Sequence, residues 1–553
     1  MKQQRNLSFW KLWNLSFGFF GVQIAYALQS SQVSRIFSTI GADPHDLSYF
    51  WILPPLMGLI VQPIVGSASD RTWTRLGRRL PYLLGGALVA IIVMCLLPNA
   101  GSLGLGISSA IIFGLVMLML LDTSINMAMQ PFKMLVGDSV NEKQKGLAYS
   151  IQSFLCNAGS VVGYLAPFCL AYFLSNTAPS GEVPQTVTWA FYIGAAILLL
   201  CVVYTLVFVR EMPPAEYAAF HGIKPDKKDD RKKNGNVFAL LRRAPKVFWT
   251  VGLVQFFCWV AFMYMWTYTT EVIANQAYDT PVSEKIDGLR IDGKDYTFKN
   301  LFAGNTPLVL DGRQVVADGY DFSAAGTLTA ANIAILPEDG GEYYLDETET
   351  LPALSSASKV EFIEHRILNP ASEEYQKAGN NNGTLLAIQG IVAVLWAIAL
   401  SRFRNRRLAY SLSLLIGAAG FVSVFFSHNM VLLSIGYGLA GCAWASMLAM
   451  PFTILTNALS GDNIGTYLGL FNCTICLPQI IASVFGGIIL KAMPLTASGV
   501  PNSPAMILVS GILLFCGAIA VWNIKETFGS RKESASEVET DMLKTRIGTD
   551  ADI

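Results

Sequence analysis

Charge is what this 553-residue chain has least of. Asp, Glu, Lys and Arg make up 14% of it, against about 25% in ordinary soluble chains. The 39 basic residues balance the 39 acidic ones, so no pull toward nucleic acid is expected. Histidine is scarce: four residues, at 45, 221, 365 and 428, all in expected loops. The nine cysteines (95, 156, 169, 201, 258, 442, 473, 476 and 516) all fall in apolar segments and none in a long loop, which argues against a disulfide framework. Cys473 and Cys476 form a CxxC inside one such segment without a second pair. They read as packing residues, and no metal or cofactor is expected. No nucleophile–base pair, phosphate loop or metal cluster is present, so nothing points to an enzyme. Nothing near the N-terminus reads as a cleaved signal, because the first apolar segment is long and runs straight into the fold.

What the chain has in abundance is apolar sequence, at 53%. A bilayer core needs about 20 apolar residues per helix. By that rule there are twelve spans, near 13–37, 48–69, 80–98, 104–130, 145–173, 187–209, 247–274, 383–400, 408–427, 430–457, 464–490 and 503–524. Lys and Arg gather in alternate connections: Arg71, Arg75, Arg78 and Arg79; Lys133, Lys143 and Lys145; ten within 210–246; and Arg402, Arg404, Arg406 and Arg407. Basic loops stay inside, so both termini are expected in the cytoplasm of a multi-pass protein of an inner (cytoplasmic) membrane.

The expected fold is therefore an all-α membrane protein of twelve helices in two six-helix pseudo-repeat halves. Its expected divisions are an N-terminal half over 1–210, a cytoplasmic linker over 211–246, helix 7 over 247–274, an insertion over 275–382, helices 8–12 over 383–525 and a disordered cytoplasmic tail over 526–553. The insertion holds 18 acidic and 8 basic residues, and Asp-Gly turns between alternating runs predict a small β-rich lobe outside the membrane. The two halves align faintly at a spacing of 320 residues: Met129-Gln130-Pro131-Phe132 falls on Ala449-Met450-Pro451-Phe452, and Gln152 on Asn472. On that register Asp122 falls opposite Cys442, so one half alone carries an acid there.

Gly66-Ser-Ala-Ser-Asp70-Arg71-Thr-Trp-Thr-Arg75-Leu-Gly77-Arg78-Arg79 resembles the loop motif between helices 2 and 3 of the major facilitator superfamily. Gly66 allows close helix approach. Asp70, Arg71, Arg75, Arg78 and Arg79 are suited to charge-assisted contacts that latch a cytoplasmic gate in one conformation and break in the other. Further segments resemble the sucrose/maltose-type proton symporters: Gly21-Val22-Gln23-Ile-Ala-Tyr26-Ala27-Leu28-Gln29, Val61-Gln62-Pro63-Ile-Val-Gly66, Leu121-Asp122 with Asn126, Gly159-Ser-Val-Val-Gly163-Tyr164, and Leu470-Phe-Asn472 with Pro478-Gln479-Ile-Ile-Ala-Ser483. The resemblance implies import of an α-glucosidic disaccharide with protons. Two departures stand out: the 275–382 insertion, and Gly146 beside Lys145 where plant members carry an arginine.

An ionised Asp deep in a membrane helix costs about 2.5–3.5 kcal/mol on insertion scales, which makes Asp122 the first candidate for function. Asp122 and Asn126 lie one turn apart on one face and are the expected cation-coupling pair. A proton suits the site better than sodium, which would want several oxygen ligands. The alternative is static pairing with Lys145 or Lys133. A sugar needs hydroxyl partners and flat apolar faces. Gln23, Tyr26 and Gln29 in span 1, Gln152 and Asn157 in span 5, Gln255 and Trp259 in span 7, and Asn472 and Gln479 in span 11 are the expected substrate residues. Phe262, Trp266, Gln389 and Trp396 extend these stripes. Glu271 and Arg35, near outer helix ends, either pair as a gate or simply snorkel. The expected partners are a disaccharide, protons and the bilayer, with the carrier acting as a monomer. Two other readings stay open: an exporter working by antiport, and a membrane sensor that uses the outer lobe.

Overall fold

A computed structural model of the chain describes residues 6–104, 107–178, 181–213, 242, 244–291, 293–297, 308–310, 313–315, 333–335, 343–344, 360–400, 402–403, 405–458 and 470–524. Twelve long helices dominate: α1 (Phe9–Ile40), α2 (Leu53–Arg71), α3 (Leu80–Leu96), α4 (Ile107–Ser139), α5 (Glu142–Leu170), α6 (Gln185–Phe208), α7 (Lys246–Gln276), α8 (Glu373–Leu400), α9 (Arg406–Phe425), α10 (Met430–Ala458), α11 (Cys473–Ala492) and α12 (Ser503–Ala520). Eleven are long and apolar enough to cross a membrane. The twelfth, α1, carries Gln23, Gln29, Gln32, Arg35 and a run of serines, yet it is buried along nearly its whole length. The protein is a multi-pass membrane protein.

Local chemistry sets the helix ends. Asn141, Asn405 and Asn502 each accept a bond from the backbone N–H three residues on. Gly41, at φ 110°, closes α1 in the left-handed region. α4 continues through Pro131 to Ser139, past the expected end of its span at 130, whereas α10 passes Pro451 and ends at Ala458, close to the expected 457. Buried neighbours hold both helices together past the kink position.

Helix packing follows small residues. α1 lies against α5 and α6. A Cβ at Gly159 would strike the Phe20 carbonyl, and one at Gly163 would meet the Ile24 carbonyl at 2.8 Å. This GxxxG face of α5 is therefore a close-packing surface, as its spacing implied. In the second half α7 packs on α12 and α11, and α9 on α10 and α12.

Between α7 and α8 the chain forms two small sheets. β1 (Val282–Ile291), β2 (Lys294–Thr297) and β7 (Val360–Leu368) make one, in the order β2-β1-β7. β3 (Leu308–Leu310), β4 (Arg313–Val315), β5 (Ile333–Ile335) and β6 (Tyr343–Tyr344) make the other, in the order β4-β3-β5-β6. All pairings are antiparallel. The described residues of the insertion are thus mostly strand, and the segment between α7 and α8 is narrower than 275–382. α8 starts at Glu373, ten residues before its expected start. The segment Glu373–Asn382 looks like loop by composition. It is helical because its amides bury against polar side chains of α1.

The hydrogen bonds that tie the halves together cluster at the end of the bundle carrying this insertion. Gln32 Nε2 donates to the Gly379 carbonyl (3.3 Å), Asn382 Nδ2 to the Ser31 carbonyl (2.8 Å) and Gly487 N to Ser48 Oγ (2.8 Å). His365 Nε2 lies 2.9 Å from Asp43 Oδ2. This insertion end is closed. The linker expected over 211–246 is outside the described residues from 214 to 241, as is the tail from 525.

Candidate functional site

Asp122 sits in the interior of α4 and is 2% exposed. Its partner is an amide from α1: Gln29 Nε2 donates to Asp122 Oδ1 at 2.7 Å. The second carboxyl oxygen, Oδ2, has no hydrogen-bond partner among the described residues, and neither has Gln29 Oε1. No ion pair forms on Asp122 among the described residues; the side chains of Lys133 and Lys145 lie outside them. Two buried acceptors therefore stand side by side, each with vacant lone pairs. Such groups are costly unless something donates to them, whether a proton, a water or a solute hydroxyl.

Asn126 does not reach this carboxyl. Its Nδ2 donates to the backbone carbonyl of Asp122 (2.9 Å), and its Oδ1 accepts from Gln62 Nε2 of α2 (2.7 Å). The expected pair thus becomes a four-residue chain, Gln29–Asp122–Asn126–Gln62, joining α1, α4 and α2. Gln62 was legible only as part of a motif, and no spacing in the sequence assigns it to Asn126.

Tyr26 is the exposed residue in the otherwise buried stretch 21–40 of α1, at 36%. A polar ring open to space inside a packed helix marks an internal cleft. Tyr26 lies near Tyr164 and Asp122 of the first half and Cys476 of the second. Gln23, buried beside it, accepts from Ser160 Oγ at 3.2 Å.

The other expected substrate residues separate into two groups. Gln152 donates across to the Phe132 carbonyl of α4 (3.1 Å), and Asn157 to the Ser153 carbonyl one turn back in its own helix (2.8 Å). Asn472 precedes α11 and lies 3.8 Å from Cys476 Sγ. Gln479, about two turns further, is half-buried, and its carbonyl takes the Ser483 hydroxyl. In contrast, Gln255 is fully buried, donating to the Met447 carbonyl (3.3 Å) and leaving Oε1 without a partner among the described residues. Trp259 is 7% exposed and its indole N–H has no acceptor among the described residues. Trp259, Phe262 and Trp266 surround Trp444 of α10, with ring centroids 5.8, 5.1 and 5.5 Å from it. Trp444 was absent from the stripes read in the sequence, because it stands on another helix. Trp396, included there, is tied to Ser413 Oγ at 2.9 Å and packs outside this group.

The arginine loop is organised within the first half. Arg78 Nη2 and Arg79 Nε both donate to Asp138 Oδ2, at 2.7 and 3.1 Å. Arg79 also reaches Ser69 Oγ. Glu211 accepts from three successive backbone N–H groups, of Arg78, Arg79 and Leu80. Gly77, at φ +117°, makes the turn that presents them, and a Cβ there would run into Glu211. Gly66 approaches Met134 of α4. Arg71 and Arg75 are exposed with no partner among the described residues, and the Asp70 side chain lies outside them. The acids that answer this loop, Asp138 and Glu211, stand about 60 and 130 positions away and were not singled out from sequence.

Two family models match the chain, one before and one after the insertion. Residues 33–279 match the family model described as "MFS/sugar transport protein", and residues 373–547 the model described as "Major Facilitator Superfamily". The chain is 26% identical over 279 residues to the "Sucrose transport protein SUT1" of Oryza sativa subsp. japonica, covering 47% of this chain and 52% of that one. It is 29% identical over 214 residues to the "General alpha-glucoside permease" of Schizosaccharomyces pombe, covering 37% and 38%. The match thus spans about half the length of the first curated relatives. Among solved structures, a "D-xylose-proton symporter" superposes with a TM-score of 0.57 at 13% identity, over 94% of this chain and 98% of the other, which shows a shared fold. All three are transporters, not enzymes.

Proposed function

This chain belongs to the major facilitator superfamily, and from that premise we propose that it imports an α-glucosidic disaccharide of the maltose or sucrose kind together with protons. In this reading the two halves rock about a central site and expose it alternately to either side of an inner membrane, with both termini in the cytoplasm. The observation that carries the reading is the pair of vacant buried acceptors on Asp122 and Gln29, set beside a cleft onto which Tyr26 opens. Asp122 holds the proton. Its carboxyl is the one acid on this face, and an amide accommodates both its neutral and its charged form. Gln23 and Tyr26 supply hydroxyl partners from α1, and Gln255 and Trp259 supply an amide and a flat face from α7. Asn472 and Gln479 belong to the same substrate set, at the α11 side of the cleft. The arginine loop acts as a gate by taking Asp138 and Glu211 in one conformation and releasing them in the other.

Uptake of labelled maltose and sucrose into proteoliposomes tests this, with an imposed pH gradient and an imposed sodium gradient compared side by side. Accumulation driven by the pH gradient alone is the expected result. Sugar movement indifferent to the pH gradient would overturn the coupling. Absence of disaccharide binding by purified carrier would overturn the substrate class.

A further inference from the structure

At the closed insertion end, α1, α7 and α8 meet around two buried charges that do not pair. Arg35 of α1 is fully buried. Its guanidinium donates to Gln376 Oε1 (2.7 Å), Asn380 Oδ1 (2.6 Å), Gln32 Oε1 (3.1 Å) and Asn176 Oδ1 (3.2 Å). All four acceptors are neutral amides. The fit is tight, since a Cβ at Gly379 would strike the Arg35 side chain. Glu271 of α7 is 5% exposed, and Tyr375 Oη donates to its Oε1 at 2.5 Å. Tyr375 and Gln376 are successive residues of α8, so cation and acid touch neighbouring side chains without touching each other. Neither charge snorkels, and neither pairs as the sequence had allowed.

Titratable groups surround Glu271 from three elements. On α7 itself the nearest titratable side chain a turn away is Tyr268, also buried. From α8 comes Tyr375. From the loop after α1, Asp43 adds like charge; it is bonded to His45 of the same loop and to His365 of β7. Arg35 acts on the cluster through Tyr375. A carboxylate enclosed here has the hydroxyls of Tyr375 and Ser38 beside it, a like-charged neighbour and, among the described residues, no cation in contact. Enclosing it ionised is costly, and the cost disappears if a proton is bound first. When the halves part at this end, water reaches the group and ionisation is cheap. Closure and proton uptake are then linked, whatever solute the carrier moves.

We propose that Glu271 is a second proton-binding site, separate from Asp122, and that it takes up its proton as the insertion end closes. The rival account keeps Glu271 charged and lets it balance Arg35 at one remove. The two accounts predict opposite signs for Glu271→Gln. A neutral side chain satisfies the first and closes the end, whereas under the second it leaves Arg35 uncompensated and opens it.

The test is a distance between spin labels at Ser102 and Ser498, which are exposed on the two halves at this end. It uses full-length protein in lipid nanodiscs without sugar, in a background from which the nine free cysteines have been removed. Pulsed electron resonance reads the closed and open populations across pH. For one linked proton the closed-to-open ratio should rise as pH falls, by up to about tenfold per pH unit. Glu271→Gln should stay closed at every pH, and Asp122→Asn should keep the response. An open Glu271→Gln, or a wild-type distance indifferent to pH, would overturn the proposal. If Glu271→Gln elutes as aggregate, difference infrared spectroscopy of Asp122→Asn takes its place. A protonated-carboxyl band gained on closure supports the site, and no such band overturns it. Neither measurement reads sugar uptake, so failure of the disaccharide reading and failure of this site are told apart.

Discussion

The two halves of this bundle solve opposite problems with buried polar groups. In the first half, Gln29, Asp122, Asn126 and Gln62 pass hydrogen bonds from helix to helix, and one charge-bearing group sits at the centre. In the second half the matching region is aromatic. Trp444 stands within 5.1–5.8 Å of three rings of α7, and Gln255 and Trp259 keep polar atoms without partners among the described residues. On the repeat register Cys442 replaces the acid and Ser446 replaces Asn126; both are buried, and Ser446 merely bonds back to Ala443. Positions that match on the repeat register thus differ in chemistry. A group that changes charge needs a network that tolerates both forms, while a ring-shaped solute needs flat surfaces and a few vacant donors and acceptors.

That contrast can be broken from either side. The largest effect is expected at Asp122→Asn, which should reduce uphill disaccharide uptake to simple equilibration while exchange across the membrane persists. Counterflow and gradient-driven uptake in the same vesicles separate the two. Next comes Trp259→Ala, which should raise KM about tenfold with kcat little changed, since a stacked ring contributes about 1 kcal/mol or more. Equal loss in both parameters would instead place the ring in folding. Gln29→Leu strips the Asp122 carboxyl of its donor and should weaken coupled uptake by roughly five- to tenfold, the loss expected for a buried acceptor left unpaired. Its pH profile should change shape where that of Trp259→Ala does not. Arg79→Ala removes a buried guanidinium from Asp138 and Ser69 and should lower stability by about 1–2 kcal/mol, read by thermal unfolding in detergent. The smallest effect is expected from the insertion. Replacing residues 298–359 with a short Gly/Ser linker should leave uptake within about twofold, as surface segments usually allow. Loss of uptake there would favour a role for the lobe in recognition.

Most of the helix plan was legible because a bilayer demands long apolar runs, and hydropathy reads those directly. Where it failed, polarity misled. Glu373–Asn382 reads as loop, yet Gln376, Asn380 and Asn382 are buried because α1 offers them Arg35 and backbone carbonyls to bond. Asp122 was legible as costly; its partner was not. Gln29 lies 93 positions away, and only the packing of α1 on α4 brings the two together. The same limit hid Gln62, Asp138, Glu211 and Trp444. One helix face can be read from spacing, but the face opposite it cannot.

The ladder between β1 and β7 has a mechanical consequence. It registers Val282 with Leu368 immediately beyond α7 and α8, and continues to Ile291 with Val360. Those helices are therefore buckled together where they leave the bundle, and neither can swing outward alone. Whatever parts the neighbouring seam must lift both as a single limb, so stiffness of this small sheet sets how far that limb can flex along its own length.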